Sequence, residues 1–243
     1  MVEQNGIYRT LECRPDNYHG WYNQGNMLRS HNKLHDALFC YEKALEYYPH
    51  DYFSWYYHGK VSEELGRYTQ AVNSFHQACN IDKNNYWAWY SAGYILQEKI
   101  GNHQKAIDFL QVALENNPSD YWVIYRLGKA YFYQKKYLQA LDFFQQALNI
   151  RPNDYWCYYR CGQCRQKLNQ LDLAKKNYQQ SLKIKPKDYW SIASLISVAY
   201  SQGLYQDIIA LSENIINNDN ICSSIEEKIY LARIIIGEKS SDN

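Results

Sequence analysis

Three cysteines carry the first chemical possibility. Cys157, Cys161 and Cys164 stand in the spacing C-x3-C-x2-C, which some iron–sulfur enzymes use. Cluster ligation needs thiolates converging from a loop. These three instead occupy the third, seventh and tenth positions of a helical stretch, where other stretches of the chain carry Ser54, His58 and Val61, or Ala88, Ala92 and Ile95. Side chains that recur at one helical phase read as packing residues. The pair Cys161 and Cys164 has redox spacing but no surrounding βαβ pattern, so it reads the same way. The histidines His19, His31, His35, His50, His58, His76 and His103 are read as forming no zinc site. No nucleophile elbow, no phosphate-cradling glycine loop and no carboxylate pair with a pocket around it is read in the sequence. The sequence predicts no catalytic residue, no metal and no cofactor, and so a protein that is not an enzyme.

Composition narrows the classes further. The net charge is +1 with both signs mixed along the chain, which lacks the basic footprint of a nucleic-acid binder. No apolar run approaches the ~20 residues of a membrane span. The start, MVEQNGIYRT, has no basic region followed by an apolar core, so no secretory signal is read there. Seven irregularly placed cysteines then predict reduced thiols in a cytoplasmic protein, or one of the plastid stroma if plastid-encoded. The 26 tyrosines and 7 tryptophans are many for so polar a chain.

The elements that position all these residues follow from a repeat. Trp21, Trp55 and Trp89 are 34 residues apart, as are Gly25, Gly59 and Gly93. After a slip of one residue, which falls near Ile100 and Gly101 and is expected in the inter-helix turn, the glycines continue at Gly128 and Gly162. Ala37, Ala71, Ala106, Ala140 and Ala174 keep the beat, as do Pro15, Pro49, Pro118, Pro152 and Pro186. A fixed period of this length means a stacked array, not one globular core. Within a unit, Trp55, His58, Gly59 and Ser62 form one helical stripe; Tyr68, Ala71, Val72, Phe75, Ala78 and Cys79 form a second. Gly66 marks the turn between them. Glycine inside a helix costs ~1 kcal/mol against alanine, so five copies at one phase imply close helix contact. Asp51, Asp120, Asp154 and Asp188 are placed to cap the helices that follow them.

This pattern resembles the tetratricopeptide repeat (TPR) family, whose signature is W-x2-L-G-x2-Y, then A-x3-F-x2-A, then P. Trp55, Gly59, Ala71, Phe75 and Ala78 match in one unit; Ala140, Phe144, Ala147 and Pro152 match in another. The DYW-like repeat starts are similar to those of cyanobacterial and plastid-type TPR proteins. The resemblance implies an all-α, right-handed α-solenoid of helix-turn-helix repeats. The expected organisation is an N-terminal half-repeat (1–17), five repeats (18–51, 52–85, 86–120, 121–154, 155–188), a degenerate sixth (189–221), a capping helix (222–237) and a disordered tail (238–243). Ile7, Thr10, Leu11 and Cys13 place the chain's start in mid-repeat, as a natural cap or as part of a longer array. Ile196, Ile208 and Ser212 replace the sixth unit's Gly, Ala and Phe. Ser224 and Glu227 have capping-box spacing at the start of the last helix. That helix carries more apolar residues (Ile229, Leu231, Ile234, Ile235, Ile236) than one buried face needs, which leaves room for a homodimer.

In the family, the first helix of each pair lines a concave face, and its positions two, five, nine and twelve meet the ligand. Position two reads His19, Phe53, Trp87, Trp122, Trp156 and Trp190; position five reads Tyr22, Tyr56, Tyr90, Tyr125, Tyr159 and Ala193. Position nine reads Asn26, Lys60, Tyr94, Lys129, Gln163 and Ser197. For position five the expected role is packing. For position two, packing and ligand contact both remain open, since position four (Trp21, Trp55, Trp89, Ile124, Tyr158, Ile192) already serves packing. Neighbouring helices lie ~8–10 Å apart, and one polyproline II turn of three residues at ~3.1 Å each matches that spacing. The expected function is a non-catalytic scaffold or assembly factor that binds an extended protein segment. Two other readings stand beside it: a glycan or small-ligand binder using the Trp and Tyr faces with Asn26 and Gln163, and the recruiting part of a longer enzyme.

Overall fold

The structure, a computed structural model, describes residues 15–213 and 221–237. The half-repeat expected around Ile7, Thr10, Leu11 and Cys13 and the tail 238–243 lie outside the described residues. All regular structure among the described residues is helical. Helices come in pairs: α1 (Tyr18–Ser30) with α2 (Leu34–Tyr47), α3 (Tyr52–Glu64) with α4 (Tyr68–Ile81), and α5 (Tyr86–Ile95) with α6 (His103–Asn116). Then follow α7 (Tyr121–Tyr133) and α8 (Tyr137–Ile150), α9 (Tyr155–Lys167) and α10 (Leu171–Ile184), α11 (Tyr189–Ser201) and α12 (Tyr205–Ser212), and last α13 (Ser223–Ile235). The fold is an all-α array of helix-turn-helix pairs. The chain forms two compact units, 1–123 and 124–243, with the division in the first turn of α7.

The repeated small residues have a visible partner. A Cβ on Gly25 would lie 2.9 Å from the Tyr41 ring, on Gly59 2.9 Å from Phe75, on Gly128 2.8 Å from Phe144 and on Gly162 2.5 Å from Tyr178. Each of these four glycines is the seat of a fully buried ring from the second helix of its own pair, while Gly93 seats the buried Leu110 at 2.7 Å. The position-five tyrosines press on the same rings: Tyr56 on Phe75 and Tyr125 on Phe144, both with centroids 5.6 Å apart, and Tyr159 on Tyr178 at 5.8 Å. Those tyrosines therefore pack, as position five was expected to.

The caps form as the sequence indicates. Carboxylate oxygens of Asp51, Asp120, Asp154 and Asp188 accept from the backbone N–H of Ser54, Val123, Cys157 and Ser191 at 2.6, 2.8, 2.9 and 3.0 Å. Each pair turns through a left-handed residue, at Asn32 (φ 59°), Gly66 (73°), Gly101 (77°), Lys135 (61°), Asn169 (59°) and Gly203 (71°). Lys135 alone in this series is neither Gly nor Asn, and a β-carbon there is strained. Lys135→Gly should raise stability by about 0.5–1 kcal/mol, read as a higher urea midpoint. An unchanged midpoint would show that the turn carries no strain.

Two local expectations are corrected. The extra residue near Ile100 and Gly101 is not taken up in the inter-helix turn. It widens the end of the first helix into a π-helical turn, Leu96–Ile100, which Gly101 then stops. The Ser224–Glu227 capping box is absent. The last helix begins earlier, behind Cys222, whose side chain makes no cap bond. The Cys222 N–H donates to the Tyr189 hydroxyl at 2.9 Å, and this long-range tie sets the start; Ser224 Oγ accepts from Lys228 Nζ instead. Ile225, Ile229 and Ala232 of α13 are buried with Ile192, Ile196 and Ile208, while Ile234 and Ile235 stay exposed.

One buried polar group makes the fold pH-sensitive. His58 Nδ1 lies 2.7 Å from Ser74 Oγ, which itself donates to the Gln70 carbonyl, so the imidazole is the donor of that pair. Burial pulls its pKa below the ordinary histidine value near 6.5, with Glu42 opposing and Arg67 adding to the effect. The folded chain then resists a proton that the unfolded chain accepts. Stability is full above about pH 6.5 and falls as pH drops through the folded value. His19, His31, His35, His50 and His76 are exposed. The urea midpoint should drop between pH 7.5 and 5.5, and His58→Gln should flatten that drop. Equal slopes in both proteins would reject the assignment.

Candidate binding face

The first helices α1, α3 and α5 neighbour one another in a layer: the Tyr22 and Tyr57 rings of α1 and α3 are 6.3 Å apart. Each begins with a capped turn, so its second residue projects from the end of the helix away from the turn that joins the pair. At that position packing would have buried the rings. Instead Phe53 is 55% exposed, Trp87 61%, Trp122 49% and Trp190 56%. The position-four residues Trp21, Ile124 and Ile192 are buried, and Trp55 and Trp89 donate from Nε1 to the carbonyls of Pro49 and Lys83 at 2.8 and 2.9 Å. Packing is thus carried by position four, and position two is left outward.

In the first unit, Tyr52, Phe53, Tyr56, Tyr57, Asn85 and Trp87 line a cavity of about 340 Å³ between α3 and α5. Tyr52 and Tyr56 stack beneath it, with centroids 5.9 Å apart at 12°. Burial raises the phenol pKa of both, so their hydroxyls stay protonated. Asn85 caps α5, its side-chain oxygen accepting from Trp87 N–H at 3.2 Å.

The second unit departs from this arrangement. Trp156 is half-buried, since Arg160 one turn on lies over it at 5.8 Å, over Tyr159 at 5.8 Å and over Phe132 at 6.0 Å. Arg160 Nη1 also donates to Gln163 Oε1 at 2.8 Å, and Gln163 Nε2 donates to the Tyr159 hydroxyl at 2.8 Å. The first unit uses its position-nine groups internally too. Tyr41 donates to Asn26 Oδ1 at 2.8 Å and Lys60 pairs with Glu63 at 2.7 Å. Arg160 had no signal in the repeat pattern, because position six varies from unit to unit.

The three spaced cysteines all lie buried on α9. Burial raises the thiol of Cys161 and pushes that of Cys164 up to about 12, which keeps both protonated and opposes cluster ligation. Among the described residues no group of three or more His, Cys, Asp or Glu side chains is placed to hold a metal ion. Among them also, no helix is long and apolar enough to cross a membrane.

The tetratricopeptide repeat profile matches residues 121–187, and the profile of anaphase-promoting complex (cyclosome) subunit 3 matches residues 30–113. The chain is a tetratricopeptide-repeat protein. Solved TPR structures superimpose on this TPR chain widely but at low identity. The C-terminal part of a TPR protein from Cytophaga hutchinsonii is 20% identical, with a TM-score of 0.73, over 93% of this chain and 92% of that one. YrrB, described as a TPR protein with an unusual peptide-binding site, is 23% identical with a TM-score of 0.68, over 76% of this chain and 95% of its own. MamA is 23% identical with a TM-score of 0.65, over 70% of this chain and 92% of its own. The comparison with curated proteins gives no significant match. TPR proteins serve in general as protein-interaction scaffolds, and this TPR chain has that coarse role.

Proposed function

We propose that this TPR protein is an interaction scaffold that holds an extended segment of a partner protein against its first-helix layer. The carrying observation is the outward aromatic series: Phe53, Trp87, Trp122 and Trp190 leave about half of each ring in water, although position four already supplies the packing. Large rings presented with two rotatable bonds bind at little entropic cost and anchor interfaces. Between Phe53 and Trp87, Tyr56 lines the same cavity. The internal bonds of Asn26 and Gln163 favour a peptide over a sugar, because Gln163 has both amide atoms engaged and Asn26 its oxygen.

The test is affinity capture from the source cells with the wild-type chain and with the variant Phe53→Ala, Trp87→Ala, Trp122→Ala, Trp190→Ala. These four rings are the exposed ones, so their loss leaves the core intact. A partner retained by the wild type should be lost from the variant. Equal retention would move binding to the second-helix layer or the termini.

A further inference from the structure

We propose that the segment held by the first-helix layer of the second unit is acidic, and that Arg160 receives one of its carboxylates. The inference rests on the reading of that layer as the binding face and names the chemistry of what it binds. Charge is sorted between the two layers of this unit. The second helices α8, α10 and α12 each carry an aspartate, Asp142, Asp172 and Asp207, and Lys175 pairs with Asp207 at 2.7 Å. The first helices α7, α9 and α11 carry Arg126, Lys129, Arg160, Arg165 and Lys167 and no acidic residue. Arg126 and Arg160 hold the same position six, 34 residues apart. Arg165 turns into its own helix pair, where it donates to Asn177 of α10 at 3.2 Å. The aspartates at the helix starts serve as caps: Asp154 accepts from the Cys157 N–H and Asp188 from the Ser191 N–H, and Asp188 also meets Lys185 at 3.2 Å.

Arg160 itself has no counter-charge among the described residues. It is half-buried, with the Phe132, Trp156 and Tyr159 ring centroids 5.8–6.0 Å from the guanidinium. Its Nη1 donates to Gln163 Oε1 at 2.8 Å, it bonds the Tyr125 phenol, and its Nε lies buried without an acceptor. Rings and an amide fix the guanidinium in place, but they do not neutralise it. Holding a charge partly out of water with no opposite charge is costly. An incoming carboxylate offsets that cost, and it meets a fork whose orientation is already set. The rings beside the guanidinium give apolar contact to the methylenes of a glutamate stem. The arrangement therefore suits a side-chain carboxylate carried on a peptide.

The test follows the Trp156 indole N–H resonance, identified by its loss in Trp156→Phe, as short peptides are added to the full chain. One peptide alternates proline with glutamate, and two others carry glutamine or lysine in place of the glutamate. The glutamate peptide should shift that resonance saturably, the other two should not, and the shift should weaken as salt rises. Arg160→Gln should weaken the glutamate peptide by about tenfold. Arg160→Glu, folded by circular dichroism, should reverse the choice, so that the lysine peptide binds and the glutamate peptide does not. An arginine with a merely structural role would not exchange one charge preference for the other. An equal response to the glutamine peptide, no response to the glutamate peptide, or unchanged affinity in Arg160→Gln would overturn the inference. Failure here while the four-alanine variant still loses its partner leaves the binding face standing without its acidic preference; binding through Arg160 while that variant keeps its partner rejects the aromatic face and keeps the acidic site.

Discussion

Replacing Phe144 with alanine should cost about 3–5 kcal/mol of folding stability. The ring is fully buried, sits on Gly128 and is covered by Tyr125. No neighbour can fill the space it would leave. Gly128 has no side chain, and Tyr125 is held in the first-helix layer by its own packing. The loss is large against a typical total of 5–15 kcal/mol. It should also be local, since each repeat contacts only its neighbours. Phe143 supplies the control: it is half-buried and stacks on Tyr131 at 5.3 Å. Its alanine variant should lose clearly less. Urea unfolding followed by circular dichroism compares the two. Equal losses would mean that the glycine-seated ring is not the spacer of the helix pair.

That seat explains why so much of the fold was legible. Gly59 and Phe75, or Gly128 and Phe144, recur sixteen residues apart, and each copy is one contact written twice in the sequence. The aspartate caps were legible for a simpler reason: Asp154 and Cys157 are three residues apart and their bond is local. What escaped was long-range or energetically flat. The start of α13 is set by Tyr189, 33 residues from Cys222, and outranks the local Ser224 motif. A single inserted residue can enter a turn or widen a helix, and periodicity does not choose between them; here Leu96–Ile100 widens. At the binding face the aromatic positions were readable, but their occupancy was not. Trp87 and Trp156 are equivalent in the sequence pattern, yet Trp87 is 61% exposed and Trp156 is half-buried beside Arg160.

In the sixth unit the large and small residues change places in the sequence, and this supports the prediction with the largest contrast between variants. Ile196 stands at the glycine position and Ser212 at the ring position, again sixteen residues apart, and both are fully buried. What the sequence presents as decay is an exchange of large and small across one helix pair. The Ser212 hydroxyl donates to the Ile209 carbonyl at 2.7 Å, so the small residue brings no unpaired polar group. Transplanting the exchange to the second unit tests this. Gly59→Ile alone drives a branched side chain into Phe75, whose ring atoms stand 2.9–3.0 Å from where even a Cβ would sit, and should cost at least about 3 kcal/mol. Phe75→Ser alone opens a cavity and should cost about 3–5 kcal/mol. Together the isoleucine fills the cavity that the serine leaves, and the serine can bond back to its own helix. The double variant should therefore be more stable than the sum of the singles predicts by about 2–3 kcal/mol, measured as a double-mutant cycle in urea. Additive losses would show that Ile196 and Ser212 are separate accidents and that the first and second helices of the last pair meet through other residues.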